Sequence, residues 1–404
     1  MAKAAVPSWT AAFVEFVDRG LRRVRGKDMD PYSPEGLIAV ADGSPAEVVT
    51  RLAALDPVRV LAAPLTEVGS RASVVLGPPH PVPVQFDLRL PGGGRVSAVL
   101  SLGPGVRSVG LGELRDPIVT IRQDLDELLR AVYGPPGGAE GTREVRVRVP
   151  DIGAPPAPGA PQGPWGALVA HQVLAALERR PVPLTELAVR FGADKWGDHW
   201  YARHYERYFA PYRERRVRIL EIGIGGYDQP GAGGASLRMW KHWFPRGLVW
   251  GLDLHDKSQV DEPRIATVIG SQTDVELLAR LGAEVGPFDL ILDDGSHAGT
   301  DIETAFHALW PWLRPGGLYA VEDLHTAYWP AWTRGLEPGG PGTAIGLIHA
   351  LVDGLHHQER AGVEPSAEDL GVSAVHVHHN LVVIEKGGNT EQGGPAWIRD
   401  AAAQ

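Results

Sequence analysis

The run DLILDDGSH, residues 289–297, ends an apolar stretch on two adjacent carboxylates, Asp293 and Asp294, with His297 three residues further on. A second apolar run, GLYAVED, ends on Glu322 and Asp323. If the two runs are neighbouring parallel strands, their ends lie about 5 Å apart and up to four carboxylates converge. Charges of one sign gathered so closely repel by several kcal/mol at intermediate dielectric. A divalent cation removes that repulsion. The donors are hard oxygens and the chain has no cysteine, so Mg²⁺ is the expected ion, with Mn²⁺ or Ca²⁺ as alternatives. Without a metal, the same acids would be solvated or paired with arginine. The near-neutral pKa of imidazole suits His297 to general-base work beside such a cluster; the plainer alternative is a surface histidine.

A second set of residues has the pattern of a nucleotide site. Glu221-Ile-Gly-Ile-Gly-Gly-Tyr227 follows a strand-like run, and Gly223 and Gly225 allow the tight turn that brings a ligand against backbone amides. Sites for NAD, FAD and S-adenosylmethionine all use such a turn. Glu221 favours the last, because a carboxylate there suits the methionine amine and repels a pyrophosphate. Asp253 closes the next strand, where an acid accepts ribose hydroxyls. Gly270-Ser271-Gln272, after the third, offers small polar groups at adenine height. Each residue also has a structural reading: Asp253 as a strand cap, Ser271 and Gln272 as a helix start.

The elements that must position these residues alternate. VRILEIGIGG, GLVWGLDL, RIATVIG, FDLILDD and GLYAVED read as strands, with helices at SLRMWKHWF, TDVELLARLG and ETAFHALWPWL between them. A helix through LIHALVDGLHH and a closing pair, SAVHVHH and LVVIEKG, complete the region. Such alternation predicts a mostly parallel, doubly wound α/β sheet that binds ligands beyond the carboxyl ends of its strands. The preceding half reads as a small α+β unit: a helix over residues 8–24, a hairpin VPVQFDLRL-PGGG-RVSAVLSL, a helix over IRQDLDELLRAVYG and a last strand REVRVRVP. Residues 150–164 hold six prolines in fifteen positions, which defines a semi-extended linker. Eleven of 12 Trp and 14 of 15 His follow it, so the chemistry is expected in the second half. The domains expected are thus 1–149 (auxiliary), 150–165 (linker) and 166–404 (catalytic).

Composition narrows the classes. A net charge of −10 over 404 residues argues against a nucleic-acid partner, which needs a basic face. The lack of cysteine excludes disulfides, thiolate metal sites and cysteine nucleophiles. There is no apolar stretch of about 18 residues to span a membrane. Acids near the N-terminus stand where a signal peptide would be apolar, so a cytoplasmic location is expected.

In order, DKWGDHWYARHYERYF, ILEIGIGGYDQPGAGGASLRMWKHWF, GLDLHDK, GSQTD, LDDGSH and VEDLH make the chain resemble the metal-dependent sugar O-methyltransferases of macrolide biosynthesis. The likeness is densest over residues 183–330. It implies a class I (Rossmann-like) S-adenosylmethionine-dependent methyltransferase fold with an N-terminal α+β auxiliary domain. It implies S-adenosylmethionine around Glu221, Gly223, Gly225, Ser236, Asp253, Ser271, Gln272 and Asp293. It implies Mg²⁺ held by Asp294, Glu322 and Asp323, His297 as general base, and a homotetramer. The expected substrate is a glycosylated polyketide, methylated on a deoxysugar hydroxyl whose vicinal oxygens chelate the metal. The rival readings are a catechol-type O-methyltransferase with the same metal logic, an NAD-linked oxidoreductase on the same fold class, and a scaffold that has lost catalysis.

Overall fold

The computed structural model describes residues 30–72, 78–104, 106–137, 141–148, 165–360, 362–395 and 397. The helix expected over 8–24 and the proline-rich segment 150–164 lie outside them. Contacts divide the described chain into two compact units. One runs to Arg216 and includes Met239–Gly247; the other comprises Val217–Arg238 and the described residues from Leu248 onward. Residues 165–216 thus group with the first unit. The division 1–149 and 166–404 expected from the linker concerns folding units and stays a proposal.

The first unit begins with α1 (Pro34–Ala41), α2 (Pro45–Ala53) and α3 (Pro57–Ala72). Ser33 and Ser44 cap α1 and α2 with proline in the first turn, where the missing N–H is harmless. A five-stranded sheet follows in the order β3-β2-β1-β4-β5. Its strands are β1 (Val82–Arg89), β2 (Arg95–Gly103), β3 (Val106–Leu111), β4 (Val119–Asp124) and β5 (Glu144–Val147). The expected hairpin is β1–β2, paired from Val82↔Leu102 to Arg89↔Arg95 around PGGG. The helix expected from Ile121 is shorter. Residues 121–124 belong to β4, parallel to β1, and α4 spans only Leu125–Tyr133. Ile121 and Gln123 point inward and Arg122 outward, the period-two pattern that the helical reading of IRQD overrode. Three more helices, α5 (Trp165–Leu177), α6 (Leu184–Phe191) and α7 (Ala202–Phe209), complete the unit.

The second unit carries β6 (Arg218–Ile222), β7 (Leu248–Asp253), β8 (Ile265–Ile269), β9 (Phe288–Asp293), β10 (Leu313–Glu322), β11 (Val372–His378) and β12 (Leu381–Lys386). Their order is β11-β12-β10-β9-β6-β7-β8. β8, β7, β6, β9 and β10 run parallel, β12 pairs antiparallel with β10, and the edge strand β11 pairs antiparallel with β12, so the sheet is mostly parallel as expected. The order reverses between β6 and β9. That is a topological switch point, where ligands bind beyond the strand ends.

All six residues of β9 are buried, Leu290–Leu292 as its apolar centre and Asp289 as an acceptor for Arg218 N at 2.8 Å. The helices α8 (Ala235–Trp243), α9 (Val275–Val285), α10 (Gly299–Leu309) and α11 (Ala344–Gly354) connect the strands. Leu278, Leu281, Ile302, Phe306 and Leu309 pack with Ile291 and Tyr319 in one core cluster. Each large side chain buried there contributes about 1.5–3 kcal/mol. Among the described residues, no helix is long and apolar enough to cross a membrane.

Candidate active site at the carboxyl edge of the parallel sheet

Parallel register brings the carboxyl ends of β6, β9 and β10 level. Asp293 lies opposite Ile222 on one side and Val321 on the other. One ligand atom each from Asp294, His297 and Asp323 lies within 4.8 Å of the other two. His297 Nε2 stands 3.5 Å from Asp323 Oδ2. The expected convergence of the two strand ends is therefore present. Glu322, 1% exposed, is not part of that three-residue group, and His297 is.

The loops that present these groups are tightly held. His297 and Asp323 both have left-handed backbones, φ 56° and 54°, a conformation unfavourable for residues with a Cβ. Thr326 Oγ1 lies 2.9 Å from the His297 carbonyl oxygen and 2.8 Å from that of Asp323, so its single proton is shared between them. Thr326 is 2% exposed, which keeps water from competing for that proton. On the other side of His297, Ser296 Oγ accepts from Ala298 N at 3.2 Å and donates to Asp301 Oδ2 at 2.9 Å. Arg334 clamps both oxygens of Asp301, at 2.7 and 2.9 Å. Burial opposes ionisation of Asp301, but hydrogen bonds from Arg334 and Ser296 prevail and hold its carboxyl below the ordinary range.

The glycine-rich loop adjoins this edge. Gly223 has φ 87°, and a Cβ there would stand 2.1 Å from the Asp294 carbonyl oxygen, so the first loop glycine packs on the backbone of a candidate metal ligand. Gly225, φ 76°, has open space instead: a Cβ would meet nothing nearer than 4.0 Å. Its conformation favours glycine, and the space beside it is open. Asp253 Oδ2 accepts from Ile224 N at 3.0 Å and Oδ1 from His255 N at 2.9 Å. The acid at the end of β7 thus braces the loop, and each oxygen keeps further acceptor capacity. Glu221 is fully buried, and Ser236, 8% exposed, stands in the first turn of α8.

Gln272 and Asp293 form a buried layer behind the loop. Gln272 Oε1 accepts from Ser296 N at 2.7 Å, and its Nε2 lies 3.3 and 3.4 Å from the oxygens of Asp293. Tyr319 Oη lies 3.4 Å from Asp293 Oδ2. Burial pushes the Asp293 carboxyl up to about 7; the Gly295 N–H opposes the shift and the Asp294 charge adds to it. Ser271 is bound locally, its Oγ 2.8 Å from Thr273 Oγ1.

Three residues here escaped the sequence reading. Thr326 follows Asp323 by three positions, the spacing of a hydroxyl turn, within an unassigned stretch. Tyr319 sits inside an apolar run and reads as core. Lys257 is fully buried and donates to the carbonyls of Gln229 at 2.9 Å and Ala232 at 3.2 Å, closing the far side of the glycine-rich loop. A lysine read from sequence defaults to solvent.

A seven-stranded sheet of this order, with glycines at its first turn and an acid closing the next strand, defines the Rossmann-like class I methyltransferases. Comparison with known proteins narrows the class. Residues 35–143 match the model of the MycE methyltransferase N-terminal family. The chain is 42% identical over 382 residues to demethylmacrocin O-methyltransferase of Streptomyces fradiae, covering 90% of this chain and 93% of that one. It is 37% identical to mycinamicin VI 2''-O-methyltransferase of Micromonospora griseorubida, covering 92% and 95%. A solved structure of MycE methyltransferase from the mycinamycin biosynthetic pathway, in complex with Mg, SAH and mycinamycin VI, superposes with a TM-score of 0.81 at 36% identity, over 92% of this chain and 97% of that one. The chain belongs to the sugar O-methyltransferases of macrolide and related polyketide pathways.

Proposed function

We propose that the chain transfers a methyl group from S-adenosylmethionine to a deoxysugar hydroxyl on a macrolide or related polyketide. The observation that carries this reading is the convergence of Asp294, His297 and Asp323 within 4.8 Å, beside a glycine-rich loop that packs on Asp294. When bound, the donor supplies an activated methyl group, and a hard divalent cation supplies positive charge for the oxygen that loses its proton. Asp294 and Asp323 offer the hard carboxylate oxygens that Mg²⁺ prefers, and Glu322 ends the same strand as a third proposed ligand. The open side of Gly225 and the acceptor capacity of Asp253 suit a nucleoside, with Glu221, Gly223, Ser236, Ser271, Gln272 and Asp293 completing the proposed cofactor wall.

His297 is the proposed general base. A sugar hydroxyl is a poor nucleophile at neutral pH, and removal of its proton by a positioned imidazole is worth roughly 10²–10⁴ in rate. Asp323, 3.5 Å away, would stabilise the resulting imidazolium. Alignment of the acceptor oxygen with the methyl group supplies much of the remainder. Chelation of two vicinal sugar oxygens, a homotetrameric assembly, the absence of nucleic-acid and membrane partners, and a cytoplasmic location complete the proposal.

A second reading makes His297 a metal ligand, since it belongs to the same group of ligand atoms. The preference of Mg²⁺ for oxygen favours the base. The deciding experiment loads the protein with Mn²⁺ and follows binding by electron paramagnetic resonance, alongside turnover with radiolabelled donor on a panel of glycosylated polyketides and catechols. With His297 as base, His297→Ala lowers turnover by roughly 10²–10⁴ and leaves Mn²⁺ affinity within about twofold. Loss of both makes it a ligand. Undiminished turnover after chelation, or transfer to catechols alone, overturns the proposal.

A further inference from the structure

The first unit contains a cavity of about 230 Å³ to which the proposed reaction gives no role. Arg71, Arg179, Arg180, Arg213, His171 and His242 contribute to its wall, and among the described residues the lining includes no carboxylate. The rest is largely apolar, with Leu168 and Ala175 from α5, then Val182 and Leu187. The carboxylates that pair with these arginines stand outside the lining. Glu67, 1% exposed, meets Arg71 at 2.9 Å; Glu178 meets Arg180 at 2.7 Å; Glu214 serves both Arg179 at 3.3 Å and Arg213 at 3.4 Å. Among the described residues these four guanidiniums pair with three carboxylates, Glu214 serving two of them. The Nε of Arg213 is buried with no hydrogen-bond partner among the described residues.

The crowding extends behind the wall. Burial draws the Arg179 guanidinium down to about 10 against the pull of Glu214, and the charges of Arg71, Arg246 and Arg213 add to the shift. Guanidiniums held together beside apolar surface repel one another, and an anion placed among them removes that repulsion. A bare inorganic anion would leave the Leu168, Val182 and Leu187 side dry and unused. A neutral apolar molecule would leave the guanidiniums of the wall without a counter-charge. The occupant that satisfies both sides has one anionic head and a short hydrocarbon body. The volume corresponds to roughly seven or eight waters, which limits that body to a few carbons.

We propose that this cavity binds a small amphipathic carboxylate, its head on the arginines and its hydrocarbon against α5 and the residues that follow it. The site is independent of the methyl-transfer reading, and its test requires neither donor nor metal. Isothermal titration of the full chain with hexanoate, hexanol and inorganic phosphate is the measurement. Hexanoate is expected to bind saturably, with a Kd of about 0.1–1 mM for so small a ligand. Hexanol and phosphate are each expected to bind at least about tenfold more weakly. Arg180→Gln changes a half-exposed side chain and should weaken hexanoate about fivefold without altering the melting temperature. Ala175→Leu fills the cavity from α5 and should abolish binding in a protein that still melts cooperatively. No saturable hexanoate binding, equal binding of hexanol or phosphate, or full affinity in Ala175→Leu would each overturn the proposal.

Discussion

At the ends of β9 and β10 the chain gathers acids; around α3 and α5 it gathers arginines. The two clusters are built differently. The arginines are each given a carboxylate, with Glu214 shared between two of them. The acids are placed by backbone devices: left-handed residues at His297 and Asp323, the shared hydroxyl of Thr326, and a glycine pressed against Asp294. Ion pairing fixes charge for stability, whereas backbone placement fixes charge at a chosen point and leaves its field available. The second arrangement suits a group that must face a cation and a reacting oxygen. The first suits a scaffold.

The largest test of that contrast falls on His297. His297→Ala should lower turnover by roughly 10²–10⁴, about 3–5 kcal/mol in the barrier, with little change in melting temperature. A side chain that only decorated the loop would leave turnover unchanged. The complementary test in the other unit is Glu214→Gln, which removes the carboxylate that two arginines share. Melting should register a loss of about 1–3 kcal/mol, discounted from a fully buried pair because Glu214 is 32% exposed. Turnover per folded molecule should hold. Were Glu214→Gln to lower turnover tenfold while sparing stability, the division between scaffold and site would be misplaced.

The second unit was more legible in sequence than the first. Fully buried parallel strands leave apolar runs that end abruptly at the functional edge, so the succession of strands along the chain and the convergence of LDDGSH with VED could be read directly. The first unit lacks that signal. β4 is short and its IRQD continues into a helix without a turn residue, so the boundary at Asp124 was hidden. α1–α3 went unassigned although Ser33 and Ser44 cap two of them, and β3 is an edge strand of six residues. At the site, the acids and glycines announced themselves by residue type. Thr326, Tyr319 and Lys257 act through backbone carbonyls or a buried partner, and such roles depend on three-dimensional proximity that neither spacing nor composition encodes.

Thr326 gives a subtler probe. Thr326→Val keeps the shape and removes the proton that both carbonyls share, and Thr326→Ser keeps the proton and removes a methyl group. Turnover should fall about tenfold in the valine variant through kcat, consistent with roughly 1–1.5 kcal/mol for a lost buried hydrogen bond. The serine variant should recover most of it. Equal losses in both would mean that packing of the methyl group matters, and the hydroxyl bridge would have no positioning role.

The smallest expected effect separates the two clusters by sign. In metal-free protein, Asp294 and Asp323 lie close enough to repel, and nothing in the proposed chemistry requires their charges for folding. Asp294→Asn removes one of those charges while keeping the side chain's shape. It should raise the metal-free melting temperature slightly, by the equivalent of about 0.5–1 kcal/mol, and abolish stabilisation by added Mg²⁺. Arg213→Gln, made in the arginine cluster, should instead be neutral or destabilising, because it frees Glu214 from one of two partners and removes packing over the Trp243 ring, 5.1 Å away. If Asp294→Asn destabilised the metal-free protein as a broken ion pair would, the acids would be scaffold like the arginines, and the case for a cation at this edge would lose its electrostatic basis.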